Sequence, residues 1–565
     1  MEKYITEIAE AISSYLGIDS SEIFENIQFT PPDKFGDLAF PCFPLAKKLK
    51  KSPAQIASDI AEKLQLPESF EEQRAEGPYL NFRIKSQVIV RDIIGLINAQ
   101  SETYGNSEDY NGKTVVLDFS SPNIAKPFGV GHLRSTVIGN SIKRIFQSQG
   151  YRPFGINHLG DWGTQFGKLI YAFKRWGDEK RLEDSPIREL LSVYVKFHEE
   201  SEKDSSLDDE GRAWFKKLED GDTEAVELWN RFRKYSEEEF QRIYERLGIK
   251  FEYQTGESFY NDKMPAVVEE LEEKGLTEVS QDALVVNLEP YNMPPCLIKR
   301  KDDATLYITR DLAAAEYRYN NFHFDTMLYV VGVEQQLHFQ QLFKVLELMG
   351  KDWASDCRHV EFGRIRFEGM DLSTRKGRVI FLEDVLDKAR DMVARIIEEK
   401  NPELENKELI AEQVGLGAVI FEQFSSRRGK FVTFSWEKAL NFEGQTGPYL
   451  QYTHARLSSL ERKFTKQLPS EVDYNLLTER AEIDICKKLG QYPLAIKSAL
   501  REYEPFFIAV YLLELASEFN RYYQKTRVLV EDEKLAAARL TLARAVRVTI
   551  KNGLYLLGIS SPERM

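Results

Sequence analysis

The spacing of apolar residues changes several times along the chain, and each change predicts a different kind of structure. Through residues 1 to about 108, helix-spaced apolar positions are mixed with short strand candidates such as GPYLNFRI (Gly77–Ile84), and PPDKFGD (Pro31–Asp37) interrupts them as a loop. The polar stretch Asn106–Gly112 predicts a linker. TVVLDF (Thr114–Phe119) then has the β-branched, apolar texture of a strand buried on both faces. A loop containing Gly129 and Gly131 follows, after which Leu133, Val137, Ile138, Ile142, Ile145 and Phe146 recur at helical spacing until Gly150. A second strand candidate runs to Asn157. Strand, loop, helix, strand is the opening of a nucleotide-binding α/β sheet. Residues about 176 to 250 are charged and helical in pattern and predict an insertion into that sheet. TMLYVVGV (Thr326–Val333) returns to buried-strand texture, and from about residue 385 helical periodicity dominates. The expected partition is an α+β unit at 1–108, an α/β core at 109–384, a helical connection at 385–429 and an all-α bundle at 430–565.

A chain of 565 residues exceeds what one hydrophobic core accommodates, which agrees with several domains. No stretch approaches the roughly 18 apolar residues of a membrane span, and the first residues lack a basic segment followed by an apolar run. A soluble cytoplasmic protein is expected. Cys42, Cys296, Cys357 and Cys486 lie far apart, which argues against a zinc knuckle or a disulfide framework. The net charge of −14 is unevenly spread: from Lys430 onward there are 20 Lys+Arg against 16 Asp+Glu, so a polyanion is more welcome in the C-terminal part.

Two segments hold candidate chemistry. In SSPNIAKPFGVGHLRSTVIGN (Ser120–Asn140), the glycines allow close backbone approach, and the helix beginning near His132 points free N–H groups and its positive dipole end above the strand. His132 and Lys126 add side-chain donors, the equipment that phosphoryl chemistry demands. The second segment, DLSTRKGR (Asp371–Arg378), is cationic and rich in donors. Taken alone, the first reads as a glycine-containing turn with a structural histidine and the second as a solvated turn. Their co-occurrence at this separation is what carries weight.

With both in place the chain resembles the class I aminoacyl-tRNA synthetases, specifically the arginyl-tRNA synthetase family. Pro122–His132 is similar to the signature containing that family's HIGH element, and DLSTRKG stands where its KMSK loop belongs. The resemblance continues through HLGDWGTQFGKL (His158–Leu169), TGES (Thr255–Ser258), LYITRD (Leu306–Asp311), VGVEQQLH (Val331–His338), FEGQTGPYLQYTHAR (Phe442–Arg456) and PERM (Pro562–Met565). It departs at two points. Gly129 replaces the first histidine of HIGH, and Asp371-Leu372-Ser373-Thr374 keeps neither KMSK lysine.

The resemblance implies a Rossmann-like HIGH/KMSK core with a helical insertion, an N-terminal domain touching the elbow of tRNA and a C-terminal anticodon-binding bundle. It implies ligation of L-arginine to its tRNA through an arginyl-adenylate, by a monomer, with ATP-borne Mg²⁺ and no protein metal site or zinc. Carried over by position, Lys126, His132, Ser373 and Lys376 are catalytic candidates, and Pro122, Gly129 and Gly131 join His132 at ATP. Tyr307, Asp311 and Glu257 would meet the guanidinium, with Asn123, Gln335 and Asp118 at the other end of the amino acid. A guanidinium has five donors in a plane, so carboxylates and a hydroxyl are the right partners. Read without the family, Asp311 is a helix cap and Glu257 a surface residue. Tyr449, Tyr452, Arg456 and Arg462 are candidates for RNA, by stacking and charge. A non-catalytic binder of tRNA or arginine, or a synthetase for another amino acid, are the competing readings.

Overall fold

The structure is a computed structural model that describes residues 1–31, 34–281, 283–299, 307–367, 379–465, 469 and 471–565. Thr114–Asp118 is the central strand, β1, of a five-stranded sheet, and Val115, Val116 and Leu117 are buried because both of its faces are covered. It is followed by α1 (Val130–Ser148), β2 (Arg152–Leu159) and α2 (Thr164–Trp176). After further helices come α3 (Thr223–Leu247), β3 (Tyr253–Gly256), α4 (Tyr307–Phe322), β4 (Thr326–Tyr329), α5 (Gln336–Leu348) and β5 (Cys357–His359). The order across the sheet is β5-β4-β1-β2-β3, every pair parallel. The chain leaves β1 toward β2 and returns on the opposite side at β4, so strand order reverses between β1 and β4. A ligand crevice belongs outside the carboxyl ends of those strands.

The charged region between α2 and β3 is helical throughout, and α3 shows why. Its Asp222 cap accepts the amide of Ala225 at 3.0 Å, Gly248 ends it in the left-handed conformation (φ 64°), and Trp229, Phe232, Phe240, Ile243 and Leu247 form its buried stripe. A three-stranded antiparallel sheet, Thr277–Ser280, Ala283–Val286 and Cys296–Lys299, lies between β3 and α4.

At the N-terminal end, the four strands Gln28–Phe29, Leu38–Pro41, Tyr79–Ile84 and Phe70–Glu76 pair antiparallel in that order, with flanking helices Glu2–Leu16 and Ser86–Gln100. This unit docks on the C-terminal helices. Ser86–Gln100 packs against Arg480–Leu489 and Glu533–Leu556. Lys487 pairs with the half-buried Asp37 at 2.5 Å, and the Tyr104 hydroxyl donates to the Leu489 carbonyl at 2.9 Å. The segment expected to be a linker is packed: Ser107 N–H donates to the Ser148 carbonyl, and Tyr110 stacks on Tyr151 with centroids 4.7 Å apart.

The C-terminal part is a bundle of Gly447–Lys463, Arg480–Leu489, Tyr492–Glu502, Phe506–Lys525 and Glu533–Leu556. Much of its positive charge is spent internally. Arg539 donates to the buried Glu482 at 2.8 Å, where the Tyr522 hydroxyl also donates at 3.0 Å. One feature departs from the helical expectation: Val432–Phe434 pairs in parallel with Ile365–Phe367. No helix among the described residues is long and apolar enough to cross a membrane.

Candidate active site

A cavity of about 860 Å³ lies at the β1–β4 reversal, and elements from both halves of the sheet build it. β1 ends on Asp118, whose buried carboxylate pairs with Arg318 of α4 at 2.7 Å and accepts the Ser121 hydroxyl at 2.8 Å. The next loop is strained, because Ser120, Ser121 and Ala125 have φ of 74°, 49° and 58°, in the left-handed region that costs an L-residue free energy. Within it, residues 122–124 pair with Gly160. The Gly160 amide donates to the Pro122 carbonyl at 3.0 Å and Ile124 N–H to the Gly160 carbonyl at 3.1 Å. A Cβ at position 160 would stand 2.2 Å from Asn123 Oδ1, so glycine there is what admits the Asn123 amide.

α4 contributes Tyr307 and Asp311, one turn apart and on one face. Tyr307 stands at the rim, more than half exposed, while Asp311 Oδ2 lies 2.7 Å from His338 Nε2 on α5. Burial works against ionising Asp311, yet the hydrogen bond and charge of His338, helped by His158 and Arg318, hold its carboxyl below the ordinary value. Glu257 follows β3. Burial pushes its carboxyl up to about 7, Arg310 opposes, and Asp311 and Asp161 add to the rise. Its Oε2 lies 3.7 Å from Arg310 Nη1 with no hydrogen-bond partner. Gln335 stands at the start of α5. All six residues expected at an amino acid (Asp118, Asn123, Glu257, Tyr307, Asp311 and Gln335) line this one cavity.

Gly131 and His132, in the first turn of α1, line it as well. Burial lowers the His132 imidazole to about 4, so the ring is neutral at pH 7, and its Nδ1 has no partner. Gly129 is extended, with φ −85° and ψ 166°, a conformation open to any residue. The constraint on it is space, because a Cβ would meet Val379 Cγ1 at 3.3 Å and the Ile380 carbonyl at 3.4 Å. Around it Val130 N–H donates to the Ile380 carbonyl at 3.1 Å and Leu382 N–H to Phe128 at 2.9 Å, so residues 128–130 are zipped to 380–382.

Other expected residues are placed elsewhere. Lys126 turns from the cavity toward α2, where its ammonium donates to Gln165 Oε1 at 3.1 Å. Ser373 and Lys376 lie outside the described residues. In the bundle, the Tyr449 hydroxyl accepts from Asn520 Nδ2 at 2.9 Å, Tyr452 is exposed, Arg456 stacks on Tyr523 at 4.5 Å, and Arg462 donates to the Glu563 carbonyl at 3.2 Å.

Several site residues were not singled out from sequence. Arg318 lies seven residues beyond Asp311, hence on the same helix face, and His338 closes the VGVEQQLH segment. Tyr329 at the end of β4 and His158 on β2 line the cavity, each with a buried polar atom lacking a partner. Inside this cavity those atoms are left for a ligand or water to satisfy. Arg134, fully buried in α1, donates to the carbonyls of Gly363 (3.0 Å), Lys430 (2.8 Å) and Arg428 (3.2 Å). It thereby ties α1 to the approach of Ile365–Phe367, the strand that precedes DLSTRKGR.

Comparison with known proteins agrees with this architecture. Residues 94–436 match the model described as class I (R) tRNA synthetases, catalytic domain. Residues 450–565 match the DALR anticodon binding domain, and 2–84 the arginyl tRNA synthetase N terminal domain. An arginine–tRNA ligase of Alkaliphilus metalliredigens is 47% identical over all of both chains, and one of Clostridium perfringens is 49% identical over 99% of each. The Thermus thermophilus arginyl-tRNA synthetase structure superposes with a TM-score of 0.85 at 26% identity, covering 99% of both chains.

Proposed function

The chain belongs to the arginyl-tRNA synthetase family and ligates arginine to tRNA through an ATP-derived adenylate, and we propose that the cavity at the β1–β4 reversal is the site of that chemistry. One observation carries the assignment. Asp311, kept ionised by His338, and Glu257, with a carboxylate oxygen lacking a hydrogen-bond partner, converge with the Tyr307 hydroxyl on one cavity. Acceptors so grouped suit the fork of donors on a guanidinium. Asn123 and Gln335 take the amino and carboxylate end, and Asp118, neutralised by Arg318, braces the floor.

The arginine carboxylate attacks the α-phosphate of ATP, releasing pyrophosphate, and the 3′-terminal adenosine of tRNA then accepts the arginyl group. His132 and the backbone amides next to Pro122 and at Gly129 and Gly131 donate to phosphate oxygens, while the Ser373–Lys376 segment and Lys126, once it leaves Gln165, supply positive charge. Among the described residues no group of three or more His, Cys, Asp or Glu is arranged to hold a metal ion. Magnesium enters with ATP, held mainly by phosphates and water rather than by a protein cage. Residues 1–108 meet the tRNA elbow and 430–565 the anticodon, with Tyr449, Tyr452, Arg456 and Arg462 as contacts. The core is 109–384, with its insertion at about 176–250, and 385–429 connects it to the bundle. The enzyme works as a cytoplasmic monomer.

The decisive assay is ATP–pyrophosphate exchange, and charging, with a panel of amino acids in the presence of total tRNA. Arginine alone should support both, and no arginine-dependent turnover would sink the reading. Glu257 adds a pH dependence. Its carboxyl sits near 7 in the empty site, and the arginine cation pairs with the carboxylate, so proton and substrate compete. Arginine affinity should be level at high pH and fall below about 7, approaching about tenfold per pH unit. Glu257→Gln should flatten that slope, and a slope that survives the substitution would move the titration to another group.

A further inference from the structure

The strained loop 120–129 is not held by the sheet alone. α3, the longest helix of the insertion, lies along it and contacts it with polar groups spaced three to five residues apart. Ser236 Oγ accepts the Ala125 amide at 2.7 Å, Glu239 Oε1 accepts the Phe128 amide at 3.3 Å, and the Tyr244 hydroxyl lies 2.8 Å from Ser120 Oγ. The same face reaches the adjoining loop, where Trp229 Nε1 donates to the Asp161 carbonyl at 2.8 Å. Phe128 is clamped between Phe240 and Tyr244, at 5.6 and 5.5 Å, both edge-on.

We propose that α3 is the positioning rail of the signature loop, and that Ser236 is the positioning residue that holds Ala125 in its left-handed conformation. Three observations point the same way. A fully buried serine in the middle of a helix is costly unless its hydroxyl is used. This one donates to its own helix at the Phe232 carbonyl, 2.7 Å away, which leaves the oxygen to accept Ala125 N–H. That amide belongs to a non-glycine residue with φ 58°, and such residues persist where their surroundings over-determine them. The loop it pins carries Asn123 on one side and leads to His132 on the other, so Ser236 acts on both ends of the site without touching substrate.

This inference rests on the catalytic reading only for its kinetic consequence. Because glycine takes positive φ without steric cost, Ala125→Gly removes the strain that Ser236 offsets. Arginine-dependent exchange is therefore measured for Ser236→Ala in the parent chain and in an Ala125→Gly background. The expected loss of kcat/KM is on the order of tenfold in the parent and under about threefold beside Ala125→Gly. Equal losses in both backgrounds, or no loss in the parent, overturn the proposal. Amide hydrogen exchange supplies a readout independent of turnover. Ser236→Ala should speed exchange at Ala125 and Phe128 while Val115–Leu117 stay protected, and adding Ala125→Gly should slow it again at Phe128, whose Glu239 acceptor remains. Unchanged protection at Ala125 overturns the proposal even in an active enzyme. Altered protection in a chain without arginine-dependent exchange upholds the rail and sinks the catalytic reading.

Discussion

Asp311→Ala should weaken arginine binding by about 2–5 kcal/mol, roughly thirtyfold to several thousandfold in KM, with ATP binding little changed. The carboxylate is largely enclosed by α4 and α5 and remains ionised because His338 approaches it at 2.7 Å. Truncation deletes that charge and leaves the guanidinium only the more exposed Tyr307 hydroxyl and the Glu257 carboxyl, which burial and not a hydrogen-bond partner governs. Asp311→Asn tests charge against shape. It keeps the outline of the side chain and should lose nearly as much, since an amide offers one acceptor and adds donors facing donors. An arginine KM that is unaltered in Asp311→Ala would remove the residue from the substrate site.

His132→Ala should lower kcat on the order of 10²–10³-fold, the scale of removing one oxyanion donor, while the arginine KM moves little. The imidazole lies in the first turn of α1, packed on Phe128 with ring centroids 5.2 Å apart, and its unpartnered Nδ1 is buried beside the cavity. Burial lowers its pKa to about 4, so it is a neutral donor at pH 7. Because the shift is downward, protonation would begin only well below pH 6. At saturating arginine, kcat should show no inflection near 6.5. An acid limb there that vanishes in His132→Ala would show that the ring titrates, and the neutral-donor role would fall.

What could be read from sequence, and what could not, divides along physical lines. Thr114–Phe119 was legible as a strand because a parallel strand covered on both faces is apolar without interruption, and the helix after it because its buried stripe repeats at helical spacing. Ile365–Phe367 and Val432–Phe434 were not, since three residues carry no periodicity and each strand exists only through a partner far away in the chain. In the site, Tyr307 and Asp311 are linked by their spacing, whereas Glu257, Asn123 and Gln335 came from family resemblance alone. The left-handed backbone at Ser120, Ser121 and Ala125 left no mark, because none is glycine, and what holds the loop comes from α3 and Gly160, distant in sequence. Lys126 shows the opposite limit: a residue type suited to phosphate says nothing of which neighbour it meets first, here Gln165.

The docking of the N-terminal unit on the last helices has a consequence in time. The helix Ser86–Gln100 buries Ile89, Val90, Ile93, Ile94 and Ile97, and packs on Arg480–Leu489 and Glu533–Leu556. A ribosome adds about 5–20 residues per second, so the first of those partners is made roughly 20–80 s after the helix itself. Throughout that interval part of an isoleucine-rich stripe faces solvent with its final neighbours unmade. The nascent chain is a natural client for a chaperone until the bundle emerges and covers it.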